Sequence, residues 1–241
     1  MGLARVLSKL GYCSRSGAFA LIHAGQVTVN GIVRRDPEAP VGLQKDRIEV
    51  DGRRLDAAGK IYYMLNKPRG VVTTASDEKG RETIYAYLPE LPWLAPVGRL
   101  DKASEGLLLL TNDTEWAARI LAPESHLPKT YHVQIGKVGD EALTREIMHG
   151  IRAGGDFLRS ESARILRGGK KNTWLEIVLE EGKNRHIRRM MAALGIEVLR
   201  LVRVAIGPLA LGELPKGASR ALTNEERMAM YQARGSRRVG G

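Results

Sequence analysis

Apolar positions near the start of the chain recur at a helical period and then switch to a strand period. Leu3, Val6, Leu7 and Leu10 fall on one helical face, and Gly11 ends that run. Ser14 is placed to cap a second helix with Ala18, Leu21 and Ile22 on its apolar face and Gly25 at its stop. Val27 and Val29 then alternate up to Asn30-Gly31, a hairpin signal that "RIEVDGRRL" repeats at Asp51-Gly52. Residues 1–56 therefore read as one compact unit. The polar stretch "DAAGK" follows, with residues 57–60 as a linker.

The remainder, residues 61–232, predicts a second and larger unit. "KIYYMLNKPRGVVTT" reads as a strand, a break at Lys67-Pro68 and another strand. Leu107 to Thr111 is a buried strand by composition. Asp113 or Thr114 caps a short helix that ends at Pro123. "KTYHVQIGK" alternates like a half-buried strand, Asp140 caps a helix through His149, and "TWLEIVLEEG" is a further strand. Asn184 begins a helix that stops at Gly195, and "VLRLVRVAIGPL" is a late strand. Thr223 and Glu226 form a capping box for the last helix. Strands outnumber helices in irregular order, which predicts an α+β fold on a large mixed or antiparallel sheet. The basic end, residues 233–241, reads as a mobile tail.

Charge adds the first functional constraint. Among 241 residues, 38 Lys and Arg outweigh 27 Asp and Glu, for a net charge of +11. Such a field favours a polyanion, nucleic acid before a membrane surface. No apolar run approaches the ~18 residues of a spanning helix, and the first residues lack a signal-peptide pattern. One cysteine, Cys13, excludes an intramolecular disulfide and a thiolate-rich zinc site. The five histidines show no HExxH-like spacing. The expectation is a cytoplasmic, monomeric protein without metal or cofactor. Arg5, Lys9, Arg15, Arg34 and Arg35 line the polar surface of the first unit. Its segment "GYCSRSGAFALIHAGQVTVNG" resembles the alpha-L RNA-binding domain of the ribosomal-protein S-four type.

Two further segments suggest chemistry. In "EGKNRHIRRMMAALG", at about 100° per residue, Ile187, Met190, Met191 and Leu194 share the buried face. Arg185 and Arg189 lie opposite, and Arg188 lies on the shoulder, where its stem can pack while its guanidinium reaches a carboxylate. In "APVGRLDKASEGLLLLTND", Asp101 stands between Arg99 and Lys102 at the mouth of a buried strand. It is a plausible partner for Arg188.

These motifs, with "LNKPRGVVTT", "KTYHVQIG" and "LVRVAIGPL", resemble the pseudouridine synthases of the RsuA, RluB, RluE and RluF group, which modify ribosomal RNA. The resemblance covers nearly everything before the tail. It implies that Asp101 is the nucleophile, that Tyr131 stacks on the target uracil, and that Arg188 is the salt-bridge partner of Asp101. It further implies that Arg99 helps fill the space left by a flipped nucleotide. Arg5, Lys9, Arg15, Arg34, Arg185 and Arg189 are the remaining RNA-binding candidates. His186 departs from the glutamine commoner at its position, Ser104 from a frequent threonine, and Thr114 from a frequent glycine.

The implied partner is ribosomal RNA or a pre-ribosomal particle, with "GKNRHIRRM" leaning towards the large subunit. Pseudouridine is an isomer of uridine, so the conversion needs no net oxidant or energy source. It needs a flipped base, an aromatic face to receive it and a carboxylate kept ionised by cations. A small-subunit target and a non-catalytic RNA-binding assembly factor are the alternatives. A hydrolase lacks a second carboxylate in a recognisable motif.

Overall fold

The computed structural model describes residues 1–233 except Gln44, Ala57, Ala58, Ser76 and Glu78. The expected tail, apart from Ala233, and half of the expected linker lie outside the described residues. The N-terminal unit has α1 (Leu3–Lys9), α2 (Arg15–His23) and four short strands: β1 (Val27–Val29), β2 (Ile32–Val33), β3 (Ile48–Val50) and β4 (Arg53–Arg54). Ser14 accepts from the Gly17 amide as the cap of α2. Asn30 and Asp51 take positive φ, at 55° and 50°, in the two hairpin turns. The four strands form an antiparallel sheet in the order β2-β1-β3-β4. Leu3, Val6, Leu7, Ala18 and Ile22 pack on Val27, Ile48 and Val50 in a core of their own.

The second unit is built on nine strands. They are β5 (Tyr62–Lys67), β6 (Ala95–Val97), β7 (Glu105–Thr111), β8 (Lys129–Ile135), β11 (Ser162–Gly168), β12 (Thr173–Leu179), β13 (Val198–Ile206), β14 (Leu209–Ala210) and β15 (Ser219–Ala221). Their order is β11-β12-β8-β13-β7-β5-β15, with β6 beside β7 and β14 beside β13. Pairing is antiparallel except between β13 and β7. The sheet is thus mixed, as α+β patterning predicts. A small hairpin, β9 (Ile151–Ala153) and β10 (Asp156–Leu158), stands apart. The helices are α3 (Thr114–Leu121), α4 (Glu141–His149), α5 (His186–Ala193) and α6 (Asn224–Gln232). No helix among the described residues is long and apolar enough to cross a membrane.

Alternation along the strands divides the sheet into two faces. Met64, Leu107 and Leu109 pack with Trp116 and Ile120 of α3 and Met230 of α6. Leu65, Leu108 and Leu110 face the other way, against Ile84, Leu94 and Leu100. Further along that second face, Val133, Leu175 and Ile177 meet Leu143 and Ile147 of α4 and Ile187, Met190 and Met191 of α5. Tyr131 touches both of the latter clusters and so marks the seam between them.

Two expectations need correction. The segment after Pro68 does not form a second strand. Gly70 has φ of 96°, and the segment pairs only through an isolated bridge of Val72 with Thr83. Val71 leaves that line to pack in the core. Helix α5 begins at His186, two residues later than expected, because Arg185 takes a left-handed conformation with φ of 48°.

Candidate active site

The loop from Gly98 to Ser104 enters β7, and several unrelated segments hold it. Thr73 Oγ1 donates to the Leu100 carbonyl at 2.9 Å, and the Gly70 amide donates to Lys102 at 2.8 Å. The Ser104 amide closes a turn on the Asp101 carbonyl at 3.0 Å. Lys67, at the end of β5, is fully buried. Its ammonium donates to the carbonyls of Pro68, Asp101 and Ser104 at 3.1, 3.1 and 2.9 Å. Burial brings its pKa down to about 8, while Asp101 and Glu105 oppose that fall. One lysine thus fixes the loop backbone at Asp101 and again at Ser104.

The next residue in the strand is also fixed electrostatically. Glu105 is buried, and it accepts two bonds from Arg200 at 3.0 Å and an ion pair from Lys216 at 2.9 Å. Burial alone would raise its pKa, but the two cations hold it below the usual carboxylate range. Glu105 pairs with Val202, and Gly106 with Arg203, in the parallel junction of β7 and β13. Gly106 has φ of 101°, and a Cβ there would collide with the Arg203 carbonyl. A glycine is required at this close approach.

Asp101 is half-buried and lines a cleft of about 550 Å³. The same cleft is lined by Tyr131 and Lys129 of β8, Arg203 of β13 and Leu179 of β12. Arg99, Arg185 and His186 also reach it. Tyr131 lies in register between Ile177 and Arg203 on the neighbouring strands. Five Lys or Arg side chains and three carboxylates occur among the lining residues. The cleft is therefore cationic on balance, with one of its carboxylates, Asp101, on the locked loop.

Arg188 approaches this loop from behind and is not among the lining residues. Its Nη2 donates to the Ala103 carbonyl at 2.9 Å, and its Nη1 lies 3.5 Å from the Val198 carbonyl. Its Nε is buried without a partner. Burial lowers the Arg188 pKa, the Asp101 charge opposes this, and Arg185 and Arg69 add to the lowering. The expected side-chain ion pair with Asp101 is not formed among the described residues. The guanidinium holds a backbone carbonyl two residues further along the same loop, and Asp101 acts on it through space.

Arg189 turns away from the cleft and pairs with Asp156 at 2.7 Å and with the Ala153 carbonyl, pinning the β9–β10 hairpin. Arg5, Arg15 and Arg34 are exposed on the N-terminal unit, and Lys9 is half-exposed there. Arg15 has only a loose pair with Glu38 at 3.7 Å. Sequence reasoning assigns no role to Lys67, Lys129 or Arg203. The sole signal for Lys67 is a lysine at the end of a mostly apolar strand. His186 is buried, and neither ring nitrogen reaches a hydrogen-bond partner within bonding geometry. Burial, then Lys183, lowers its pKa, so near neutral pH it is an uncharged imidazole facing the cleft.

Comparison with known proteins fits this geometry. A profile described as RNA pseudouridylate synthase matches residues 61–193, and one described as S4 domain matches residues 1–48. The chain is 41% identical over 238 residues to an uncharacterised RNA pseudouridine synthase of Aquifex aeolicus, covering 98% of this chain and 95% of that one. It is 36% identical over 227 residues to ribosomal large subunit pseudouridine synthase B of Bacillus subtilis, covering 93% of each. A crystal structure of a pseudouridylate synthase superposes with a TM-score of 0.67 at 30% identity, covering 95% of this chain and 99% of that one. A cationic cleft with a locked aspartate and a seam tyrosine, behind an S4 domain, thus sits in a chain that belongs to the RNA pseudouridine synthase family.

Proposed function

We propose that this enzyme isomerises a uridine of large-subunit ribosomal RNA, with Asp101 as the reacting carboxylate. The observation that carries this reading is that Asp101, from the loop before β7, and Tyr131, from β8, line one cleft. The name of the Bacillus subtilis relative supports the choice of RNA. The conversion replaces the bond from N1 to the ribose with a bond from carbon 5. The proton on carbon 5 is lost and N1 gains one, so atoms and charge balance without a co-reactant.

A base within a stack cannot turn, so the nucleotide must be flipped into the cleft. Tyr131 offers the face on which the uracil stacks. Its place at the seam of two core clusters makes that face rigid, which lowers the entropic cost of orienting the base. Asp101 supplies a carboxylate to the reacting nucleotide. Lys67 and Arg188 are positioning residues: both hold carbonyls of the Asp101 loop, and the Asp101 charge favours their cationic forms. Arg99 and Arg185, exposed at the rim of the cleft, meet the RNA that flanks the flipped nucleotide. The N-terminal unit, divided from the catalytic part near residues 57–60, adds phosphate contacts through Arg5, Lys9, Arg15 and Arg34.

Incubation of the full chain with separate large- and small-subunit ribosomal RNA transcripts, followed by mapping of pseudouridine, tests this proposal. One or a few new sites confined to the large-subunit transcript are expected. Modification confined to the small-subunit transcript would overturn the choice of RNA. No product on either transcript, or on particles assembled from them, would overturn the choice of ribosomal RNA altogether.

A further inference from the structure

The floor of the cleft holds a cation for which the fold provides no counter-charge. Arg203 is only 6% exposed. Its Nε donates to the Leu107 carbonyl at 2.7 Å, while its Nη2 is buried without any partner. No carboxylate pairs with it among the described residues. Lys129 lies on the same floor, where its ammonium donates to the Glu180 carbonyl at 3.2 Å. Burial lowers the Lys129 pKa, Arg203 lowers it further, and Glu180 opposes them. The Glu180 carboxylate is itself turned to His126, 3.8 Å away. Two cations that repel one another are thus kept side by side.

A buried guanidinium with an unused donor is destabilising unless something completes it. The chain nevertheless builds the site with care. Gly106 has no side chain, and that absence alone lets β13 come close enough for the Arg203 backbone to pair with β7. The register of β13 against β8 shifts between Arg203 and Ala205, and Arg203 is set directly across from Tyr131. Neighbouring strands stand about 4.8 Å apart.

We propose that Arg203 and Lys129 form the subsite that grips a backbone phosphate of the flipped nucleotide. This rests on the reading that Tyr131 receives the base. The phosphate meets the part of the Arg203 guanidinium that lines the cleft and relieves the repulsion between the two cations. The subsite sets how far the nucleotide enters the cleft, and so where the ribose stands relative to Asp101. Its ligand class is a phosphodiester, and its specificity is for the backbone beside the target, whatever the neighbouring bases.

The test uses the full chain and binding titrations without turnover. Wild type, Arg203→Met and Lys129→Met are each titrated with a cognate RNA stem-loop. Matched stem-loops carry one uncharged methylphosphonate on the 5′ or the 3′ side of the target uridine. Removing a charge-assisted hydrogen bond should weaken wild-type binding about tenfold for one of the two linkages. Arg203→Met should bind ordinary RNA about tenfold more weakly and lose nothing further on that linkage. Lys129→Met should show the same pattern with a smaller loss. Without RNA, the melting temperature of Arg203→Met should equal or exceed that of wild type, because an unpaired buried charge has been removed. Losses that multiply between variant and linkage would overturn the proposal, as would a collapsed or strongly destabilised Arg203→Met, which would make the guanidinium structural. Stabilisation of wild type by inorganic phosphate, with no sensitivity to either RNA linkage, would assign the subsite to free phosphate and overturn it too. Conversion of uridine is not measured in these titrations, so their outcome is separate from that of the transcript assay.

Discussion

Positive charge is used differently in the two halves of this protein. On the N-terminal unit, Arg5, Arg15 and Arg34 point into solvent, and Arg15 has only a loose surface pair. In the catalytic part, Lys67 behind the Asp101 loop and Arg203 in the cleft are buried, and their hydrogen bonds go to backbone carbonyls rather than to carboxylates. Exposed cations attract RNA through a screened field to which each contributes similarly. Buried cations act at one place, because their partners and their desolvation cost depend on position. Affinity should therefore fall gradually as surface cations are removed, while turnover should fail sharply when a single cleft residue changes.

The largest effect is expected for Asp101→Asn. The side chain is nearly isosteric, so fold and RNA surface persist, but an amide lacks the charge and the nucleophilic oxygen that the proposed role of Asp101 requires. Single-turnover conversion should fall below detection while RNA affinity stays within a few fold. Conversion at the wild-type rate would remove Asp101 from the mechanism. Arg188→Leu should come next. It frees the Ala103 carbonyl and removes the charge beside Asp101. The expected single-turnover rate is lower by about 10² to 10³. Arg188→Lys should recover only part of this, since an ammonium lacks the planar fork. Equal rates for Leu and Lys would show that geometry at Ala103 is unimportant.

Lys67→Met should loosen the Asp101 loop and slow turnover by up to about 10², as a misplacement of roughly 1 Å can. It also has a stability signature. The folded ammonium titrates at about 8 against 10.5 ordinarily, so between those values the unfolded chain binds more protons. The contribution of Lys67 to stability therefore rises with pH across that window. Urea unfolding of wild type and Lys67→Met at pH 7.5 and pH 10 should show wild type gaining relative to the variant. An unchanged difference would mean that the lysine is not desolvated in solution.

The sequence makes the local features readable and hides those set by distant pairing. Ser14, Asp113 and Asp140 cap the helices that their patterns predict, and the Thr223–Glu226 box is formed. Leu107 to Leu110 form a central strand buried on both faces. Strand β11 escapes the pattern because it lies at the sheet edge, where Arg164 and Arg167 are exposed and alternation is weak. Strand β15 is three residues long, and only β5 makes it a strand. Asp101 and Tyr131 of the cleft, and Arg188 beside the Asp101 loop, lie within the motifs that the sequence singles out. The setting of Lys129 and Arg203 is not legible, because nothing local says that a lysine or arginine in an alternating strand will face inward without an acid. That depends on a register between β8 and β13, segments about seventy residues apart. The acceptor of Arg188 is hidden for the same reason, since a backbone carbonyl carries no sequence signal.

The division between an affinity surface and a reacting cleft is tested most directly by single-turnover conversion measured against RNA concentration. The full chain is compared with a variant carrying Arg5→Ala, Lys9→Ala, Arg15→Ala and Arg34→Ala together. The RNA concentration for half-saturation is expected to rise about tenfold or more in this variant. Its salt dependence should become shallower by roughly 0.7 in slope for each phosphate that is no longer neutralised. The rate at saturating RNA should stay within a few fold of the unaltered chain. A saturating rate that collapses towards that of Asp101→Asn, with half-saturation unchanged, would contradict the account by placing the surface cations in the reaction itself.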